Sequence, residues 1–467
     1  MMRTLIQNGT VATGSDLVRA DLLIEGETVA LLGRDLAGRC RPVDRLVDAS
    51  GLYVLPGGVD VHTHLSLWTG SALSSDDFET GTRAAAFGGT TTLVDFATPH
   101  RGGSLRQALA ERRAEAAGKA CIDYGFHMVV RDVTPGALSE MEALVREDGV
   151  SSFKLFTAYP GVYQVDDASL LRALQRAGRI GALAMVHAEN GGAIEVLVEQ
   201  ALARGDTEPR CHPLTRPAVL EAEATGRCIA LAEVADAPIY FVHLSSREAL
   251  ARVRSARQRG LRVFAETCPH YLFLTQQDLE RAGPEGAKLV CSPPLRESDD
   301  ADALWRGLAL GEIQAVATDH CPFDFSGPKQ LGRGSFAEIP NGLPAVETRL
   351  SLLWDGGVRT GRIGVPRFVH LTSTAPAQLF GLYPRKGTLM PGSDADVVLW
   401  DPSRPTSLDA ESLHMRVDYS PYEGLRLLGG PRQVFARGEL IVDGETWLGR
   451  AGSGRFLFRG PSALLTP

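Results

Sequence analysis

The chain reads as an α/β protein: a TIM-like (β/α)8 barrel carrying a small β-domain built from both chain termini. Three observations predict this. Across residues 56–385 short apolar runs alternate with helical stretches, the pattern of parallel strands joined by crossover helices. The strand-like runs number eight, as a closed parallel barrel requires. Residues 1–55 and 386–467 share a different texture, in which apolar and polar residues alternate around tight turns.

In chain order, residues 20–33 read as a hairpin turning near Gly26. The first barrel strand is the apolar run from Tyr53 to Val61 that leads into His62. The next seven fall at 89–95, 122–129, 152–156, 182–187, 239–243, 263–266 and 313–318. Segments 104–117, 168–179 and 218–235 lie between them, with apolar residues at helical spacing. Gly102-Gly103 and residues 323–339 read as surface loops. Residues 393–400 and 434–442 are short strands expected to pair with the N-terminal ones.

Composition narrows the function. A net charge of −8 with both signs interspersed, and no basic block, argues against nucleic acid or a membrane surface as partner. The first residues lack a secretory apolar stretch, and no apolar segment is long enough to span a bilayer. Seven scattered cysteines without C-x-x-C spacing suggest reduced thiols, and a cytoplasmic location is expected.

The chemistry is concentrated at strand exits. His62 and His64 stand two apart at the end of the first strand, so their rings share one face. Lys154, His187, His243 and Asp319 each close another apolar run. Alone, each histidine reads as a hydrogen-bonded core residue. Together, six metal-competent side chains at the exits of five strands describe a two-metal hydrolytic site. Histidine nitrogens and carboxylate oxygens suit zinc, with manganese or cobalt as alternatives. His320, next to Asp319, is a candidate to orient that carboxylate.

Lys154 needs its own explanation, because only five lysines occur in the chain and this one lies inside an apolar strand. Burial favours the neutral amine, a nucleophile able to take up CO₂ as a carbamate. The modified side chain becomes an anionic oxygen ligand; an unmodified ammonium would repel the metals.

Longer words surround these residues: Leu55-Pro-Gly-Gly-Val-Asp-Val-His-Thr-His64, Phe87-Gly-Gly-Thr-Thr-Thr92, Ser152-Phe-Lys-Leu-Phe156 and Met185-Val-His-Ala-Glu-Asn190. Ala265-Glu-Thr-Cys-Pro-His-Tyr271, Cys291-Ser-Pro-Pro-Leu-Arg296, Ala317-Thr-Asp-His-Cys-Pro-Phe323 and Ile339-Pro-Asn-Gly342 continue the series. Together they resemble the dihydropyrimidinase/hydantoinase family, cyclic amidases of the amidohydrolase superfamily, over almost the whole length. The resemblance implies that the terminal β-domain is a β-sandwich, that the metal centre is binuclear zinc, and that the molecule is a homotetramer. It assigns His62, His64 and Asp319 to the more buried metal, His187 and His243 to the other, and carboxylated Lys154 as the bridge. It further implies that Tyr159 bonds the substrate carbonyl, and that backbone groups of Ser292 and Asn341 grip the ureide ring.

The implied reaction is hydrolysis of the cyclic amide of dihydropyrimidines or 5-substituted hydantoins to N-carbamoyl amino acids, with Asp319 handling the proton. The loops Leu65-Ser-Leu-Trp-Thr-Gly70 and Pro160-Gly-Val-Tyr163 depart from the family's commonest wording, and both are expected to wall the substituent pocket. Allantoinase and a catalytically dead scaffold relative are the alternatives. Dihydroorotase is disfavoured, because Ser66 stands where that family carries an arginine.

Overall fold

The computed structural model describes residues 2–40, 42–281, 283–462 and 464. At its centre is an eight-stranded parallel sheet in sequential order. Its strands are β1 (Gly58–Thr63), β2 (Thr90–Ala97), β3 (Asp123–Val129) and β4 (Ser152–Phe156), followed by β5 (Leu183–His187), β6 (Ile239–Phe241), β7 (Val263–Thr267) and β8 (Ala315–Val316). Seven of the expected runs hold these strands as read, but the first, Tyr53 to Val61, is divided: Tyr53–Pro56 joins the terminal sheet and the barrel strand begins at Gly58. The last is shorter than expected: only Ala315–Val316 keep ladder geometry, and the chain then turns to close the barrel.

Closure joins the first strand to the segment after the last. Thr63 bridges His320, and the Thr318 hydroxyl donates to Asp60 Oδ2 at 2.6 Å. Buried Arg349 donates to the carbonyls of Val59 and Val316, both at 3.0 Å, so one guanidinium spans the seam. A sequential parallel sheet that meets its own first strand is a (β/α)8 barrel.

Strand alternation sorts the core. Val94, Phe96, Leu183, Met185 and Tyr240 fall in one apolar cluster on the barrel's inner face. Their neighbours Leu93, Ala184, Val186, Ile239 and Phe241 belong to the layer beneath the helices. The helices begin where the sequence provides caps. Ser104 caps Leu105–Ala116 through the Gln107 N–H, and Asp166 caps Asp167–Arg179 through the Ser169 N–H.

A seven-stranded sheet draws on both termini: Tyr53–Pro56 pairs with the antiparallel Val397–Ser407, and Thr10–Ala12 pairs with Tyr53–Pro56. A four-stranded sheet of N-terminal residues holds the expected hairpin, Asp21–Glu25 with Thr28–Gly33, turning at Gly26. The run at 434–442 is a hairpin rather than one strand. Arg426–Ala436 turns into Glu439–Asp443 through Arg437 and Gly438, both at positive φ.

Where barrel meets terminal sheet, buried Lys386 donates to Asp123 Oδ2 at 2.7 Å and Asp396 Oδ2 at 2.8 Å. Burial opposes charge on Asp123, but Lys386 and Arg437 outweigh it and hold this carboxyl below its ordinary range. All seven cysteines are buried free thiols, and among the described residues no helix is long and apolar enough to cross a membrane.

Candidate metal centre

Each expected ligand stands at the C-terminal mouth of the barrel, on or just beyond its strand. His62 belongs to β1 and His64 follows it, Lys154 is on β4, and His187 ends β5. His243 lies two residues past β6 and Asp319 three past β8. All six line one cavity of about 640 Å³, together with Tyr159, Ser292 and Asn341.

The four imidazoles form a continuous chain. Ring centroids are 5.1 Å apart for His62 and His64, 5.5 Å for His62 and His243, and 4.6 Å for His187 and His243. Asp319 Oδ1 meets His62 Nε2 at 3.1 Å and His64 Nε2 at 3.0 Å. The backbone is strained at three of these positions: Tyr159, His243 and Asp319 have φ of 63°, 39° and 50°. Left-handed geometry costs each non-glycine residue about 1–3 kcal/mol, and such strain clusters at functional sites.

His62 donates from Nδ1 to Glu266, and Tyr240 donates its hydroxyl to the other Glu266 oxygen at 2.7 Å. This leaves the His62 Nε2 lone pair facing a carboxylate oxygen. His187 Nε2 likewise donates to Glu189 at 2.8 Å, leaving Nδ1 2.9 Å from His243 Nε2. Among the described residues, buried His62 Nε2 and His243 Nδ1 have no hydrogen-bond partner. His62, His64 and Asp319 each offer one ligand atom, all within 4.8 Å of one another, and this is the donor set of a divalent cation. The residues present therefore fit a metal.

Electrostatics agree. Burial opposes a charge on His62, but Asp319 and Glu266 outweigh it and carry its pKa up to about 9. A cation in the proton's place meets the same two carboxylates. Asp319 is held well below the carboxylate range, because His62 and His64 overcome the effect of burial. Burial brings the Lys154 amine down to about 8, against the pull of Asp319 and Glu266. Its Nζ sits 5.2 and 4.9 Å from the centroids of the Phe96 and Phe156 rings, on the inner face of the barrel. Burial pushes Tyr159 up to about 12, so its hydroxyl stays a donor at neutral pH.

The structure also corrects and extends the sequence reading. His320 does not orient Asp319: its Nε2 meets Asp76 at 3.1 Å and its Nδ1 accepts from the Ala345 N–H at 3.0 Å. The left-handed turn at Asp319 sets its carboxylate against His62 and His64, while His320 is held by its bridges to Thr63 and Leu343. Residues 323–339 are not a plain surface loop, since Phe323, Lys329 and Phe336 are buried while Leu331 and Ala337 to Ile339 wall the cavity. Their apolar residues follow no helical or strand period. Leu67, Thr69, Val162 and Tyr163 line the cavity, as expected of the two divergent loops. Glu266 and Glu189 went unrecognised in the sequence. Glu189 stands two residues after His187, and Arg216 donates to it at 2.9 Å. Arg216 and His187 overcome burial and bring Glu189 down to about 2.

Residues 53–441 match the model of the amidohydrolase family. The chain is 53% identical over 466 residues to the D-hydantoinase of Streptomyces coelicolor, covering 99% of each sequence. The solved dihydropyrimidinase of Brevibacillus agri NCHU1002 superposes with a TM-score of 0.97 at 48% identity, over 98% of this chain and 99% of that one. The L-hydantoinase (dihydropyrimidinase) of Arthrobacter aurescens is more distant, at 29% identity and a TM-score of 0.89 over 98% and 99% of the two chains. This chain belongs to the amidohydrolase family, in its dihydropyrimidinase and hydantoinase branch.

Proposed function

We propose that this enzyme hydrolyses the cyclic amide bond of dihydropyrimidines and 5-substituted hydantoins, releasing N-carbamoyl amino acids. The observation that carries the reading is the convergence of four histidines, Lys154 and Asp319 in one barrel-mouth cavity, in a chain whose relatives are hydantoinases. His62, His64 and Asp319 would hold one divalent cation and His187 and His243 a second, with Lys154 bridging as its carbamate; zinc suits these donors, as do manganese and cobalt. When bound, the pair would supply Lewis-acid polarisation and a water acidified toward neutrality.

The chain's own residues do the rest. Asp319, held ionised, accepts the attacking water's proton at a carboxylate oxygen and returns it to the leaving ring nitrogen. Tyr159 donates its hydroxyl to the developing oxyanion. Ser292 and Asn341 grip the ureide through backbone groups. Leu67, Val162 and Tyr163 face the ring substituent and help exclude water.

The D enantiomer is the proposed substrate, supported by 46–53% identity to D-hydantoinases against 29% to an L-hydantoinase. A cytoplasmic homotetramer is the proposed state, as the family resemblance implies. The test is hydrolysis of dihydrouracil, hydantoin, both enantiomers of 5-phenylhydantoin, and allantoin. Ring opening of dihydrouracil and the D-hydantoin supports the reading. Turnover of allantoin alone, or of none, overturns it.

A further inference from the structure

Lys329 is a buried cation with no role in the reaction described above. It sits in the 3₁₀ segment Pro328–Arg333 and is 1% exposed. Its ammonium donates to the carbonyls of Val290 at 3.0 Å, Pro340 at 2.8 Å and Gly342 at 2.9 Å. Three donors meet three acceptors, so the group is satisfied. All its partners are backbone, and they come from the two segments that carry Ser292 and Asn341. A direct bond, Gly342 N–H to the Val290 carbonyl at 3.0 Å, joins the same segments. Gly342 itself packs so closely that a Cβ there would lie 2.3 Å from the Cys321 carbonyl oxygen.

The choice of carbonyls is informative. The Pro340 carbonyl and the Asn341 N–H belong to one peptide group. An ammonium on the oxygen draws electron density away from the nitrogen and makes that N–H a stronger donor. A second buried donor repeats the arrangement: His212 Nε2 meets the Cys291 carbonyl at 2.8 Å, and its peptide partner is the Ser292 N–H. Among the described residues, neither the Ser292 N–H nor the Asn341 N–H finds an acceptor. Both residues line the cavity. Burial pulls Lys329 down to about 7, with Cys291 and Cys321 acting in the opposite direction, and only the ammonium form can donate to all three carbonyls at once.

We propose that Lys329 is a positioning residue, which locks the Ser292 and Asn341 segments into one edge and polarises the Asn341 N–H for the substrate's ureide carbonyl. The inference rests on the proposed role of Asn341 in gripping the ring. It makes the edge a preorganised donor surface rather than a passive wall.

The test uses the metal-loaded enzyme and Lys329→Met, with Lys329→Gln as a second variant should the first fail to fold. Removing the charge should lower kcat/KM for dihydrouracil about tenfold to a hundredfold, chiefly through KM, because the grip acts in ground and transition states alike. Metal content should not change. An activity-independent readout is available because the chain has only three asparagines, Asn8, Asn190 and Asn341. In protein labelled with ¹⁵N-asparagine at pH 6.5, the Asn341 amide proton, assigned by its loss in Asn341→Asp, should move upfield in the variant while the other two stay. An unmoved Asn341 proton or an unchanged KM overturns the proposal. A wild type inactive on every cyclic ureide overturns the functional reading instead, and the resonance still decides Lys329.

Discussion

Glu266→Gln tests whether the metal centre depends on an orienting carboxylate. Glu266 is fully buried, accepts from His62 Nδ1 on one oxygen, and accepts from the Tyr240 hydroxyl at 2.7 Å on the other. The amide can keep both contacts: its oxygen accepts from His62, and its NH₂ donates to the Tyr240 oxygen once that hydroxyl rotates. Shape and both contacts survive, while the charge is lost and the Tyr240 hydroxyl proton gives up its acceptor. That charge makes His62 a stronger base and fixes its tautomer, so that Nε2 faces Asp319. Loss of such a partner typically costs about 10- to 100-fold in metal affinity, equivalent to about 1.4–2.7 kcal/mol. The assay is zinc affinity by chelator competition at neutral pH, with thermal melting of the metal-free proteins as the fold control. A Glu266→Gln protein that melts like wild type and binds zinc within twofold would refute the argument.

Three further predictions follow the same logic. Asp319→Asn should lower kcat about 100- to 10,000-fold, the usual worth of a positioned general base, measured by ring-opening of dihydrouracil. Tyr159→Phe should lower kcat about 100- to 1,000-fold while metal content holds, because one oxyanion donor is lost. Lys386→Met should destabilise the fold by about 3–5 kcal/mol in denaturant titrations, since it takes the buried cation from Asp396 and leaves Asp123 with Arg437 alone. That gap has a defined pH window. Lys386 is raised, so its contribution is complete below about pH 10.4 and fades as pH climbs through its higher folded value. Asp123 is lowered, so its contribution is complete above about pH 3.9 and fades as pH falls through its lower folded value. The difference between wild type and variant should be flat near neutrality and shrink at both extremes.

Much of this was legible in the sequence because barrel strands write their ends clearly. An apolar run that terminates in His187 reports both a buried strand and its end, and a lysine inside the run 152–156 reports a buried position that needs a specific reason. Segment 218–235 coincides with the helix Ala218–Ala235, an alanine-rich run whose buried positions Glu221, Ala222, Thr225, Cys228, Ile229 and Ala232 recur at helical spacing. Other features depend on contacts between distant segments. Glu266 meets His62 across 204 positions, and no local pattern distinguishes it from any strand-terminal acid. His320 shows the opposite error: nearness in sequence to Asp319 suggested a partnership, but its ring nitrogens go to Asp76 and the Ala345 N–H. Lys329 and its neighbours read as a loop because three backbone carbonyls, not an apolar period, hold them inside the protein.

The central claim is that the Lys154 amine exists as a carbamate joining two cations. Protein prepared in ¹³C-bicarbonate and zinc should show two zinc ions per chain and one carbamate carbon resonance, with the resonance absent from Lys154→Ala. An active wild-type enzyme with an unmodified lysine, or with no more than one zinc per chain, would contradict the account.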